Sequence, residues 1–182
     1  MSFSYEELAE IRHYIHQHPE LSGQEYQTTA FLKERLEELG IRILESGLKT
    51  GLIAEIGSGK PVVALRADID ALPILEQTNL PYQSQHPGVM HACGHDFHQT
   101  SLLGAAALLK EKEDQLEGTI RLIFQPAEEI SEGASDVLAT GLLEDVQGII
   151  GFHNMPQLKA GQLALNAGAM MAGVEKFKVT VT

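Results

Sequence analysis

TIRLIFQPAEE, residues 119–129, runs a largely apolar segment straight into Pro126 and a pair of glutamates. A short continuous apolar run closed by a turn signal predicts a buried strand over Thr119–Phe124. Glu128 and Glu129 then stand just past its carboxyl end. Adjacent carboxylates there suit a division of labour, one binding a metal while the other moves protons. A solvated acidic turn has the same spelling.

Working outward, strands and helices alternate. Upstream, Leu8, Ile11 and Ile15 recur at helical spacing between Tyr5 and His18, with Ser4 and Glu7 as a capping box. A second helix is expected from Tyr26 to Leu39, with Leu32, Leu36 and Leu39 inward and Gly40 as its stop. Strands are predicted at Ile41–Glu45, Gly51–Ile56 and Val62–Ala67. The Gly57-Ser58-Gly59-Lys60 turn resembles a phosphate loop only in part, since Pro61 stands where Ser or Thr is needed; it reads as a plain turn. A polar loop over Leu80–Asp96 leads to an apolar helix over Thr100–Lys110. Downstream, a helix is expected at Ser131–Leu143, a buried strand at Val146–Phe152, and further strands at Gly161–Leu165 and Lys176–Thr182. This alternation predicts an α/β fold, in which chemistry gathers in the loops beyond the strand ends.

Ligand-type side chains stand at those places. His91, Cys93, His95 and Asp96 lie within one loop, and thiolate with imidazole is a donor set that zinc favours. An extended segment would turn His91, Cys93 and His95 to one face; a polar loop around a buried cysteine is the plain alternative. Asp68 and Asp70 close the strand at Val62–Ala67, pointing the same way with Ile69 opposite. His153 follows the strand at Val146–Phe152. Each segment alone has an ordinary structural explanation; four together are hard to ascribe to coincidence.

Hydrophobic residues at 43% and charged residues at 21% exclude disorder as the overall state. A net charge of −12, without a Lys/Arg cluster, argues against nucleic acid as a partner. No apolar stretch is long enough to span a membrane, and MSFSYEELAE lacks the pattern of a signal peptide. With Cys93 the lone cysteine, no internal disulfide can form. A cytoplasmic protein is expected.

The stretches HPELSGQE (18–25), RADIDALPI (66–74), MHACGHDFH (90–98), QPAEE (125–129) and GFHNMP (151–156) occur in order along almost the whole chain. Together they make the chain similar to the metal-dependent amidohydrolases that include hippurate hydrolase, bacterial aminoacylases, N-acetyldiaminopimelate deacetylase and the auxin–amino acid conjugate hydrolases. The resemblance implies a three-layer α/β catalytic domain of zinc-exopeptidase type, with a mixed, mostly parallel sheet incomplete in its C-terminal part. It implies two divalent metal ions, zinc or manganese first, with cobalt or nickel also able to fill the site. Carried over by position, Cys93, His95, Glu129 and His153 are the metal ligands, with Cys93 bridging. Glu128 is the general base acting on a metal-activated water, and Asp68 the carboxylate that orients a ligand. His91, Asp96 and His98 are expected to support the loop, His13 and His16 to be ordinary helix residues, and His18 not to be a ligand. The implied substrates are N-acyl amino acids, with a dimer for a full-length form.

Members of that family are much longer and carry an inserted lid. Residues 1–173 are accordingly expected to be the N-terminal portion of the catalytic domain and 174–182 the start of the lid, leaving part of the site and an apolar sheet edge uncovered. One alternative is a non-catalytic fragment that folds and binds metal or a partner chain. Another is a cysteine hydrolase using Cys93 with His95 or His153 as base. A zinc deaminase is disfavoured because no Pro-Cys-x-x-Cys segment exists.

Overall fold

Ser4 and Glu7 satisfy each other's backbone amides at 2.7 and 3.1 Å, so the predicted capping box starts helix α1 (Tyr5–Gln17). Helix α2 (Tyr26–Glu38) ends where Gly40 adopts φ 67°, letting Ile41 N reach Leu36 O. Strands β1 (Arg42–Leu44), β2 (Leu52–Gly57) and β3 (Val62–Asp68), helix α3 (His95–Lys110), strand β4 (Thr119–Gln125), helix α4 (Gly133–Ala139) and strand β5 (Val146–Gly151) follow. The computed structural model describes residues 3–170, 173 and 177–180. Among these, no helix is long and apolar enough to cross a membrane.

The strands form one sheet in the order β1-β2-β4-β3-β5. β2 runs against the rest, pairing antiparallel with β1 and β4, while β3 is parallel to both β4 and β5. The 58–61 turn crosses the start of β4, where Thr119 bonds Pro61 O and Gly59 O. The mixed sheet is covered on both faces. On one, Leu52, Ala54, Ile56, Leu122 and Phe124 pack against α2 and α3. On the other, Ile53, Ala64 and Ile123 meet Val137 of α4. Period-2 alternation along β2 and β4 sorts these sets to opposite faces. Arg121 is tolerated within β4 because its guanidinium bonds Glu55 and Asp145 at 3.0 and 2.7 Å.

Four expectations need correction. α3 begins at His95 rather than Thr100. Its first turns bury polar side chains, His95, Asp96, His98 and Gln99, so an apolar period cannot detect them. α4 is confined to Gly133–Ala139, shorter than Ser131–Leu143. β5 is an edge strand with Ile149 and Ile150 exposed, not a buried one. Gly161–Leu165 forms no strand; of Lys176–Thr182 the described part, 177–180, is irregular and the rest lies outside the described residues.

His16 is also more than a helix-surface residue. It is buried, with Nδ1 2.8 Å from Asp96 Oδ2 and Nε2 3.1 Å from Glu76 Oε1. Arg12 Nε donates to the same Asp96 oxygen at 2.8 Å, so this network ties α1 to α3. Burial alone would lower the His16 pKa, but its bonds to Asp96 and Glu76 outweigh burial and raise it. A folded-state pKa above the unfolded value means that protonated His16 stabilises the fold below the ordinary imidazole value. That contribution is lost as pH rises through the raised value. His16→Gln should therefore cost more stability near about pH 6 than near about pH 9, read from denaturation midpoints at each pH. Leu103 is fully buried between α3 and the sheet. Leu103→Ala should destabilise by about 3 kcal/mol in equilibrium denaturant unfolding.

Candidate metal centre

The register of the parallel strands determines what meets what. Asp68 at the end of β3 lies beside Gln125 of β4, and Arg66 lies beside Gly151 of β5. The segments after the three strands, carrying Asp70, Glu128–Glu129 and His153–Asn154, thus leave the sheet together at the carboxyl ends of these strands. α3 brings its N-terminus to the same end, with Gly94 at φ 94° turning the chain into the helix. His95 and His98, one turn apart, share a helix face.

His95 is fully buried. Its Nδ1 is 2.9 Å from Asp70 O and 3.3 Å from Asp70 Oδ1, so that nitrogen donates there and Nε2 points the other way. Nε2 faces Asp68 Oδ2 at 3.5 Å, Glu129 Oε1 at 3.7 Å and Glu128 Oε2 at 3.8 Å. Cys93 Sγ is 3.3 Å from His153 Nε2. The donor atoms of Cys93, His95 and His153 lie within 4.8 Å of one another, as do those of His95, Glu128 and Glu129. Every predicted ligand, and Glu128, therefore joins one cluster centred on His95.

Buried His95 Nε2 and Glu129 Oε1 have no hydrogen-bond partner. A buried imidazole nitrogen and a carboxylate oxygen that face each other with no hydrogen bond suit a cation, and sulfur, imidazole and carboxylate are the donors zinc-like ions select. The residues fit a metal. Without one, negative groups crowd together. Burial, followed by the fields of Glu129, Asp68 and Glu128, pushes the Cys93 thiol up to about 12. Burial also raises Glu129, with Glu128 adding to the rise. A coordinated cation reverses both trends, since a ligand thiol loses its proton outright.

Asp68 is differently placed. Burial would raise its pKa, but the hydrogen bond from His98, then the charges of His95 and Arg66, hold it down at about 2. Its Oδ1 is 2.6 Å from His98 Nδ1 and its Oδ2 accepts from Arg66 Nη1 at 2.7 Å. His98 Nε2 in turn is 2.6 Å from Asn154 Oδ1. A Cβ at position 94 would collide with that Asn154 amide. Asp68, His98, Asn154 and Gly94 thus form a latch between β3, α3 and the segment after β5, holding His153 beside Cys93.

Sequence reasoning noted Asp70 but gave it no task. Its Oδ2 accepts from Ser22 Oγ at 2.6 Å and Glu129 N at 2.9 Å, while its other oxygen and its carbonyl face His95. One carboxylate thus orients a predicted ligand ring and anchors the backbone of another predicted ligand. The two-residue spacing from Asp68 was the available signal. His91 does not join the cluster; it is buried, both its ring nitrogens lack partners, and burial brings its pKa down to about 4.

Known proteins carry the same pattern. An N-acetyl-L-cysteine deacetylase of Bacillus subtilis is 54% identical over 177 residues, covering 96% of this chain and 42% of that protein. The IAA-amino acid hydrolase ILR1-like 5 of Arabidopsis thaliana is 47% identical over 173 residues, covering 94% of this chain and 40% of that one. The solved Bacillus subtilis YXEP protein, described as a dinuclear metal-binding peptidase of the M20 family, superposes with a TM-score of 0.81 at 55% identity. That superposition covers 83% of this chain and 43% of the solved one, and this chain spans less than half the length of all three relatives. The family model described as Peptidase family M20/M25/M40 matches residues 64–182, which contain the whole cluster around His95, and the chain belongs to that family.

Proposed function

We propose that this chain provides the metal-holding part of an amidohydrolase that cleaves N-acyl amino acids, with Glu128 as its proton-moving group. The observation that carries the reading is the pair of partnerless buried donors, His95 Nε2 and Glu129 Oε1, facing each other at 3.7 Å beside Cys93 and His153. Cys93, His95, Glu129 and His153 would hold two divalent ions, zinc or manganese. The dinuclear description of the solved relative supports a pair of ions. When bound, such ions supply Lewis acidity to a water molecule and to an amide carbonyl.

The remaining work falls to the chain. Glu128 has a side chain 40% exposed against 19% for Glu129, so it is the freer of the two to meet a substrate. Glu128 takes a proton from the attacking water and returns it to the leaving nitrogen, which balances the hydrolysis without a further acid. Asp70 keeps His95 in the tautomer whose Nε2 is a donor to metal. Asp68 acts through His98 and Asn154, keeping the segment that carries His153 in place. The acylated substrate class is supported by the deacetylase and the amino acid conjugate hydrolase to which the chain is similar. A thiol ligand that must stay reduced suits the cytoplasm.

Glu128→Gln should lower the rate of N-acyl amino acid hydrolysis by at least about a hundredfold while leaving metal content unchanged, measured by product release and elemental analysis. Activity retained in that variant removes Glu128 from the role. Chelation should abolish turnover, and zinc or manganese should restore it. Thiol alkylation that blocks turnover insensitive to chelator would favour the cysteine-hydrolase alternative. The open β5 edge favours a second reading, a folded segment that binds metal without turnover. Chelator-sensitive turnover by the 182-residue chain excludes it.

A further inference from the structure

Helix α2 starts without help from its own N-cap. Glu25 occupies that position, yet its side chain makes no cap bond. Glu20 serves instead, its Oε1 accepting from Gln27 N at 3.1 Å and its Oε2 from Thr28 N at 2.8 Å. An acidic N-cap ordinarily accepts from the first free amides of its helix. Here another glutamate meets that need, and Glu25 is free to point elsewhere.

It points into the protein. Glu25 is fully buried, with Oε1 accepting from Ala127 N and Oε2 from Thr50 Oγ1, each at 2.8 Å. Burying a carboxyl group is costly unless its oxygens are satisfied, and both are used here. Ala127 has φ 49°, a left-handed conformation that alanine rarely adopts, immediately before Glu128. Such a residue persists where its surroundings over-determine it. Thr29 extends the clamp by accepting from Gly51 N at 2.7 Å. A Cβ at Gly51 would stand 2.5 Å from Pro126 Cδ, so that loop is pressed against the Pro126 ring. The turn carrying Glu128 and Glu129 is thus gripped from α2 and from the loop before β2.

We propose that Glu25 is a positioning residue: through Ala127 it fixes how Glu128 and Glu129 leave β4, and thereby sets the affinity of the cluster for metal. The proposal rests on the metal-hydrolase reading above.

Cobalt(II) titration of the full chain, followed by visible absorption, tests it. Glu25→Leu should weaken cobalt binding at least about tenfold in protein that circular dichroism shows to be folded. Glu25→Gln keeps an acceptor for the Ala127 amide and should stay within about twofold of the parent. Thr50→Val removes only the hydroxyl and should fall between the two. A purely structural role would lower the melting temperature and leave cobalt affinity and spectrum of the folded protein unchanged. Folded Glu25→Leu with parental affinity therefore overturns the proposal, and if that variant does not fold, parental affinity in Thr50→Val does so. A parent chain that binds no cobalt overturns the metal reading itself, an outcome distinct from failure of Glu25 alone.

Discussion

The parallel register of β4, β3 and β5 is the constraint from which the site follows. Asp68 stands opposite Gln125 and Arg66 opposite Gly151, so three connecting segments depart side by side. A slip of one residue in β3 would exchange its two faces, sending Asp68 toward the wrong layer and Ala67 out of the core. The same alternation that buries Leu122 and Phe124 on one side and Ile123 on the other therefore also fixes the cluster. Folding energy and site geometry are not separate achievements here; one pattern of apolar side chains secures both.

Around that frame, acids outnumber bases, and the fold handles each differently. Asp68 is kept charged by His98 and Arg66, Asp96 by His16 and Arg12, and Asp70 by His95, Ser22 and the Glu129 amide. In Glu129 burial outweighs the relief from His95 and Cys93, and Cys93 faces burial and carboxylates alone, so both are driven toward their protonated forms. The contrast separates acids held charged by protein partners from groups that burial and neighbouring carboxylates disfavour as anions. Glu128 stands beside them with its side chain partly exposed.

Much of this was legible in the sequence. The strand leading to Glu128 and Glu129, the capping box and the Gly40 stop depend on local spelling, which composition and periodicity read well. Cys93, His95, Glu129 and His153 were singled out through the family resemblance, and the fold brings their donor atoms near that of His95. What escaped depends on distant partners. The first turns of α3 bury polar faces against Asp68, Asp70 and Asn154, which no hydrophobic period encodes. His16 read as an ordinary helix residue, and Glu25 drew no reading beyond its place in the 18–25 stretch, because their partners, Asp96 and Ala127, are remote in the chain. β5 was misjudged since its apolar letters describe a strand able to be covered on both faces, whereas here it lies at an edge.

Gly94 carries a consequence beyond its φ. Because any larger residue would displace the Asn154 amide, positions 94 and 154 are not free to vary independently. A related sequence with alanine at the first position must have abandoned the asparagine contact or rebuilt the loop-to-helix junction around it. The two letters, sixty positions apart, therefore form a compact diagnostic. Read jointly in any cousin of this protein, they report whether the histidine-bearing segment is still fastened down, before any coordinates are determined.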